Sequence, residues 1–193
     1  MDIKSRRDLL KSGLLAACLP VAAMLPACSQ ARPYRLRDAD ANGVMLPEGF
    51  SSHIVARSGQ LPVAGSTYPW HAAPDGGACR AVSADPADGW LYISNSEMSA
   101  SRGGAGVLRF SADGKVTDAW SILSGTTRNC AGGLVPWGSW LSCEEVDRGQ
   151  VYECDPMGVR AALVRPALGA FKHEAVAADP GQRVLYLTED ESD

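Results

Sequence analysis

Beyond residue 42 the chain never sustains the apolar spacing of an amphipathic helix. Its apolar residues come instead in short runs closed by Asp-Pro, Gly and Asn turns, which predicts an all-β chain. One run recurs: Leu91-Tyr92-Ile93-Ser94-Asn95-Ser96-Glu97, then Ser139-Trp140-Leu141-Ser142-Cys143-Glu144-Glu145, then Leu185-Tyr186-Leu187-Thr188-Glu189-Asp190-Glu191. Its aromatic residues Tyr92, Trp140 and Tyr186 stand 140 − 92 = 48 and 186 − 140 = 46 residues apart. A second match precedes each copy, with Ala81-Val82-Ser83-Ala84-Asp85-Pro86 resembling Ala175-Val176-Ala177-Ala178-Asp179-Pro180 and Ala131 to Pro136 as a looser middle copy. A third match follows, in Val107 to Phe110 and Val151 to Cys154. The unit is therefore strand, turn, strand, loop, strand and a final strand such as Val116 to Leu123. A period of this length predicts β-propeller blades; a sandwich of irregular hairpins is the competing fold, but sandwiches rarely repeat residue identities at a fixed period. Residues 46–193 hold about three such units, too few to close a ring, so the propeller domain is expected to be incomplete here and to continue beyond Asp193.

The N-terminus has a different texture. Lys4, Arg6, Arg7 and Lys11 precede an uncharged, largely apolar stretch from Gly13 to Ala27, too short and too Pro-broken to span a membrane. Ser5-Arg6-Arg7-Asp8-Leu9-Leu10-Lys11 looks like a twin-arginine export signal, with Leu9 where Phe is usual. Residues 1–31 are therefore expected to be a signal segment, addressed to the twin-arginine export machinery and cleaved after Ala31. Leu25-Pro26-Ala27-Cys28 leaves lipid attachment at Cys28 open. Residues 32–45 read as a linker, and the product is expected in the periplasm or outside the cell.

Charge narrows the partners. The chain carries a net charge of −4, and removing the signal makes it more acidic, which argues against a nucleic-acid surface. No stable protein partner is predicted. Four cysteines remain after the signal, Cys79, Cys130, Cys143 and Cys154, and in an oxidising compartment Cys143 and Cys154, which flank a predicted hairpin, could pair.

In an antiparallel unit the first strand begins at the rim where the second ends, so two sets of residues are expected on one face. Strand starts would bring Arg80, Asn129 with Cys130, and His173 with Glu174; strand ends would bring Glu97, Glu144 with Glu145, and Glu189 with Asp190 and Glu191. So many carboxylates on one rim repel one another unless cations neutralise them, which points to a multi-metal site. Oxygen ligands suit calcium, and a thiolate among them suits a softer ion such as iron. The competing reading is a set of solvated loop acids around a small buried thiol. Arg80 could hold a substrate oxyanion or pair with Glu97; His173 could ligate, serve as acid or base, or hydrogen-bond in the core. No Gly-x-Ser-x-Gly elbow, Cys-x-x-Cys pair or Walker loop is present. Asp38-Ala39-Asp40-Ala41-Asn42-Gly43 imitates the start of a calcium loop but has Gly49 where that loop needs Glu, so it reads as an Asn-Gly turn.

Asn129-Cys130-Ala131-Gly132-Gly133, Pro136-Trp137-Gly138-Ser139-Trp140-Leu141-Ser142-Cys143-Glu144-Glu145, Phe171-Lys172-His173-Glu174-Ala175 and Leu187-Thr188-Glu189-Asp190 resemble the strings of PhoX-type alkaline phosphatases. Leu46-Pro47-Glu48-Gly49-Phe50 and Asn95-Ser96-Glu97 fit the same pattern. The resemblance implies a six-bladed propeller, exported by the twin-arginine route, that hydrolyses phosphate monoesters with iron and calcium. It also implies Cys130 and Glu174 as iron ligands, with Glu144, Glu145, Glu189 and Asp190 serving calcium or iron. Glu97 is a further candidate ligand, and Arg80 and His173 are candidate catalytic residues. A non-catalytic calcium-binding propeller and a calcium-dependent propeller esterase or lactonase are the competing functions.

Overall fold

The computed structural model describes residues 35–191. The expected export signal lies outside them, and the chain divides into two compact units at His53/Ile54.

In the first unit a single antiparallel bridge joins Leu36 to Pro47. Asp40 organises it: its Oδ1 accepts the Asn42 and Val44 amides at 2.9 and 3.1 Å, and Oδ2 accepts the Ser52 hydroxyl at 2.5 Å. Gly43, at φ 79°, closes the turn with its amide on the Asp40 carbonyl. The Asn-Gly turn is thus present, and the Asp40 carboxylate is already engaged by protein donors.

The second unit is built of antiparallel sheets. Strands β1 (Pro74–Ala81), β2 (Trp90–Ser96), β3 (Gly103–Phe110) and β4 (Val116–Thr126) pair in chain order as one four-stranded sheet. Strands β5 (Asn129–Leu134), β6 (Trp140–Glu144), β7 (Val151–Cys154) and β8 (Leu163–Val164) repeat the order in a second, and β9 (His173–Asp179) with β10 (Val184–Glu189) form a hairpin. Among the described residues helix is confined to two 3-10 turns, Pro86–Asp88 and Pro166–Leu168. The all-β expectation holds. One expected strand does not: Ala81 to Pro86 is mostly the turn that follows β1, where Asp85 accepts the Ala87 amide at 2.9 Å.

Successive sheets stack face to face, which explains why β3 and β6 are buried almost throughout instead of alternating with solvent. Leu91, Ile93 and Val107 of the first sheet meet Trp140 and Cys154 of the second. On the other face of that second sheet, Leu141, Cys143 and Val151 meet Val176, with Leu185 and Leu187 beside it. Cys143 and Cys154 thus lie on opposite faces, one across from Val151 and the other across from Trp140, and all four described cysteines are free. The disulfide considered from the sequence does not form.

The segment before β1 covers the outer face of the first sheet with Tyr68 and Trp70. His71 is held there by the Tyr68 hydroxyl on Nδ1 at 3.0 Å and the Ser94 hydroxyl on Nε2 at 3.2 Å. Gly106 makes this seat, since a Cβ there would stand 2.7 Å from the Tyr68 ring. Burial drives the His71 pKa from 6.5 down to about 4. The unfolded chain therefore binds this proton more readily than the folded one. The contribution is intact above pH 6.5 and is lost as pH falls from there towards 4, amounting to about 2 kcal/mol of lost stability at pH 5. Urea denaturation at pH 7.5 and pH 5 should show that difference in the native chain and much less of it in His71→Gln; an equal pH dependence in both would refute it.

Candidate metal centre

The site forms where the first strands of the three sheets come together, β1 beside β5 and β5 beside β9. Asn129 opens β5 fully buried, its Oδ1 accepting the Thr126 hydroxyl at 2.5 Å and its Nδ2 donating to Ser142 Oγ at 3.0 Å. The next residue is fixed from the first sheet: Asn95 Nδ2 donates to the carbonyls of Cys130 and Ala131 at 3.3 and 2.7 Å. With its backbone clamped, Cys130 places Sγ 3.3 and 3.2 Å from the two oxygens of Glu174 and 3.4 Å from Asp75 Oδ2. Ligand atoms of Cys130, Glu145 and Glu174 all lie within 4.8 Å of one another.

Electrostatics marks this grouping as short of positive charge. Burial, then the contacts with Glu174 and Asp75, push the Cys130 thiol pKa well above its ordinary value. Burial also raises Glu145, opposed by Arg128 and reinforced by Glu174, Glu97 and Asp190. Arg128 is the cation at hand, its Nε and Nη2 donating to Glu97 Oε1 at 3.2 and 3.0 Å and its Nη2 to Glu145 Oε2 at 3.3 Å. A buried thiol whose side-chain partners are carboxylates, with both the thiol and the nearby Glu145 pushed towards their protonated forms, fits a bound cation with both sulfur and oxygen ligands.

The expected site residues separate. Cys130, Glu145 and Glu174 come together, and Glu97 joins them through Arg128. Glu144, the last residue of β6, turns away: one oxygen accepts the Thr127 amide at 2.7 Å and the other the Gln150 amide at 3.1 Å, so it ties loops together. Glu189, opposite His173, and Asp190, just after β10, are exposed.

His173 is fully buried, with Nε2 3.4 Å from the Gly169 carbonyl and its ring centroid 3.7 Å from that of Phe171. Its Nδ1 has no partner, and burial lowers its pKa. This is the arrangement of a histidine held in the core.

Arg80 is not where it was expected. It sits near the far end of β1, opposite Leu91, and Nη1 donates to the Gly138 carbonyl at 3.1 Å. The place equivalent to Cys130 belongs to Asp75. Pro74 pairs with Ser96 as Asn129 pairs with Glu144, and Gly77 with Ser94 as Gly132 with Ser142. The Asp-Pro match misled because the connection between the paired strands spans Val82 to Gly89 in the first sheet but only Pro180 to Arg183 in the hairpin. Asp75-Gly76-Gly77 beside Cys130-Ala131-Gly132 was the available signal.

Comparison with known proteins identifies the family. No curated protein and no solved structure matches the chain. The family profile described as alkaline phosphatase PhoX matches residues 70–155 and 146–193, which together contain Asp75, Cys130, Glu145 and Glu174 and every strand of the second unit. The chain belongs to the PhoX alkaline phosphatase family.

Proposed function

We propose that the protein is an exported, metal-dependent phosphatase acting on phosphate monoesters at the mouth of a β-propeller. The propeller is supported by two four-stranded meanders and a hairpin, stacked face to face with their first strands adjacent. Export rests on the twin-arginine-like Ser5 to Lys11 and the apolar stretch behind it, which leave the periplasm or the cell exterior as the destination.

The observation that carries the function is the Cys130 thiol held 3.2 to 3.4 Å from carboxylate oxygens of Glu174 and Asp75, inside the segments matched to a phosphatase family. Cys130, Glu174 and Asp75 would hold iron. Glu145 and Glu97, with the exposed Glu189 and Asp190, would serve calcium. Bound ions would supply Lewis acidity to the phosphoryl oxygens and neutralise charge in the displacement. The chain's own part is to keep the donors in place. Asn95 holds the Cys130 carbonyl, Asn129 is anchored just before it by Thr126, and β9 carries Glu174 to the thiol, which would serve a metal as the thiolate. Arg80 lies outside this constellation, and His173 is buried beside Phe171.

The exported chain should hydrolyse p-nitrophenyl phosphate, lose that turnover when calcium is chelated, and contain iron and calcium by elemental analysis. Turnover that survives chelation would overturn the metal dependence. Calcium bound without turnover of any phosphate ester would make the protein a binding propeller, and turnover of carboxylic esters alone would make it an esterase.

A further inference from the structure

We propose that Arg128 is a built-in counter-ion of the metal centre, a guanidinium that holds the Glu97 and Glu145 carboxylates when no cation is bound and competes with the cation for them. The inference rests on the metal-centre reading above and deepens it.

Arg128 precedes β5 in the left-handed backbone region, at φ 49°, a conformation disfavoured for a side chain of this kind. Two backbone hydrogen bonds of 2.9 Å hold it there, from the Arg128 amide to the Met98 carbonyl and from the Glu145 amide to the Arg128 carbonyl. At Arg128 the link between the first and second sheets is thus made by main chain. The side chain is free of that task and about half exposed, at 47%. It runs between Glu97, just past the end of β2, and Glu145, just past the end of β6. Glu145 is also one of the three residues whose ligand atoms lie within 4.8 Å of one another. A single carboxylate therefore serves both the guanidinium and the prospective metal position.

Charge explains the arrangement. Asp75, Glu97, Glu145 and Glu174 crowd one rim, and among the described residues Arg128 is the cation in salt-bridge contact with them. Without a metal it reduces their mutual repulsion. With a divalent ion bound it becomes a like charge beside that ion, which opposes binding. The side chain therefore lowers divalent affinity while stabilising the metal-free protein, two effects of opposite sign that ordinary packing does not produce.

The test is calcium titration of the full chain by isothermal calorimetry, with thermal melts in chelator and in saturating calcium, for the native protein, Arg128→Gln and Arg128→Lys. Gln keeps the backbone strain of a non-glycine residue and removes the charge. Arg128→Gln is expected to bind calcium roughly tenfold more tightly, to melt lower than the native chain in chelator, and to regain or exceed its melting temperature in calcium; Arg128→Lys should restore native affinity. Unchanged or weaker calcium binding by Arg128→Gln, or an equal loss of melting temperature in both conditions, would overturn the counter-ion role. A native chain that binds no calcium would instead overturn the metal-centre reading, and this inference with it.

Discussion

Cys130→Ser is expected to reduce bound iron and phosphatase turnover by more than roughly 100-fold while leaving calcium binding and the fold intact. Loss of an outer-shell partner alone costs a metal site about 10- to 100-fold, and a direct ligand exceeds that. Serine occupies nearly the same volume and can still hydrogen-bond Glu174, so the buried position stays filled and satisfied. What disappears is the soft thiolate that favours a transition ion over calcium among oxygen donors. The Cys130 carbonyl is held by Asn95 independently of its side chain, and the preceding Asn129 is anchored to Ser142, which is why the fold should not respond. Elemental analysis of the exported variant decides the matter. Undiminished iron would remove Cys130 from the site, whereas lost iron with retained turnover would separate the transition metal from catalysis.

That residue was legible in the sequence because its surroundings repeat. A thiol at the start of one strand and a carboxylate at the start of the next lie close together once the strands stack, and the spacing of Tyr92, Trp140 and Tyr186 already implied stacked units. Other features lay beyond the repeat. β1 contains Asp75-Gly76-Gly77 and lacks an apolar alternation, so nothing local announces a strand; it forms because β2 and β5 flank it. Gly77 permits the close approach, for a Cβ there would meet the Ile93 carbonyl at 2.2 Å. With β1 unseen, Arg80 took the position that Asp75 occupies. The division between Glu144, the last residue of β6, and Glu145 beyond it was available only in part, since strand alternation separates neighbours only while the strand lasts. The role of Arg128 was not, because a left-handed residue bridging two sheets leaves no periodic trace.

Asn95→Leu is expected to destabilise the protein by about 3–5 kcal/mol, lowering the melting temperature by roughly 10 °C or more for a chain of this size. Asn95 is fully buried. Its Oδ1 accepts the Trp140 indole N–H and the Ser142 hydroxyl, both at 2.9 Å, and its Nδ2 donates to the Cys130 and Ala131 carbonyls. One amide thus satisfies four polar groups of the second sheet from the first. Leucine matches it in shape but leaves the indole and the Ala131 carbonyl without partners, and each orphaned buried group costs about 1–3 kcal/mol. Ser142 is less exposed to the loss because Asn129 also donates to it. The damage should reach the metal centre as well, since the Cys130 carbonyl is released. Iron affinity is therefore expected to fall in the fraction that remains folded, although Asn95 contributes no atom to the convergent group of Cys130, Glu145 and Glu174. Urea denaturation and iron titration of the folded variant separate the two effects. Near-native stability would mean that apolar packing of Leu91 and Ile93 against Trp140 holds the sheets together unaided, while lost stability with native iron affinity would mean that Asn129 alone suffices to fix the thiol.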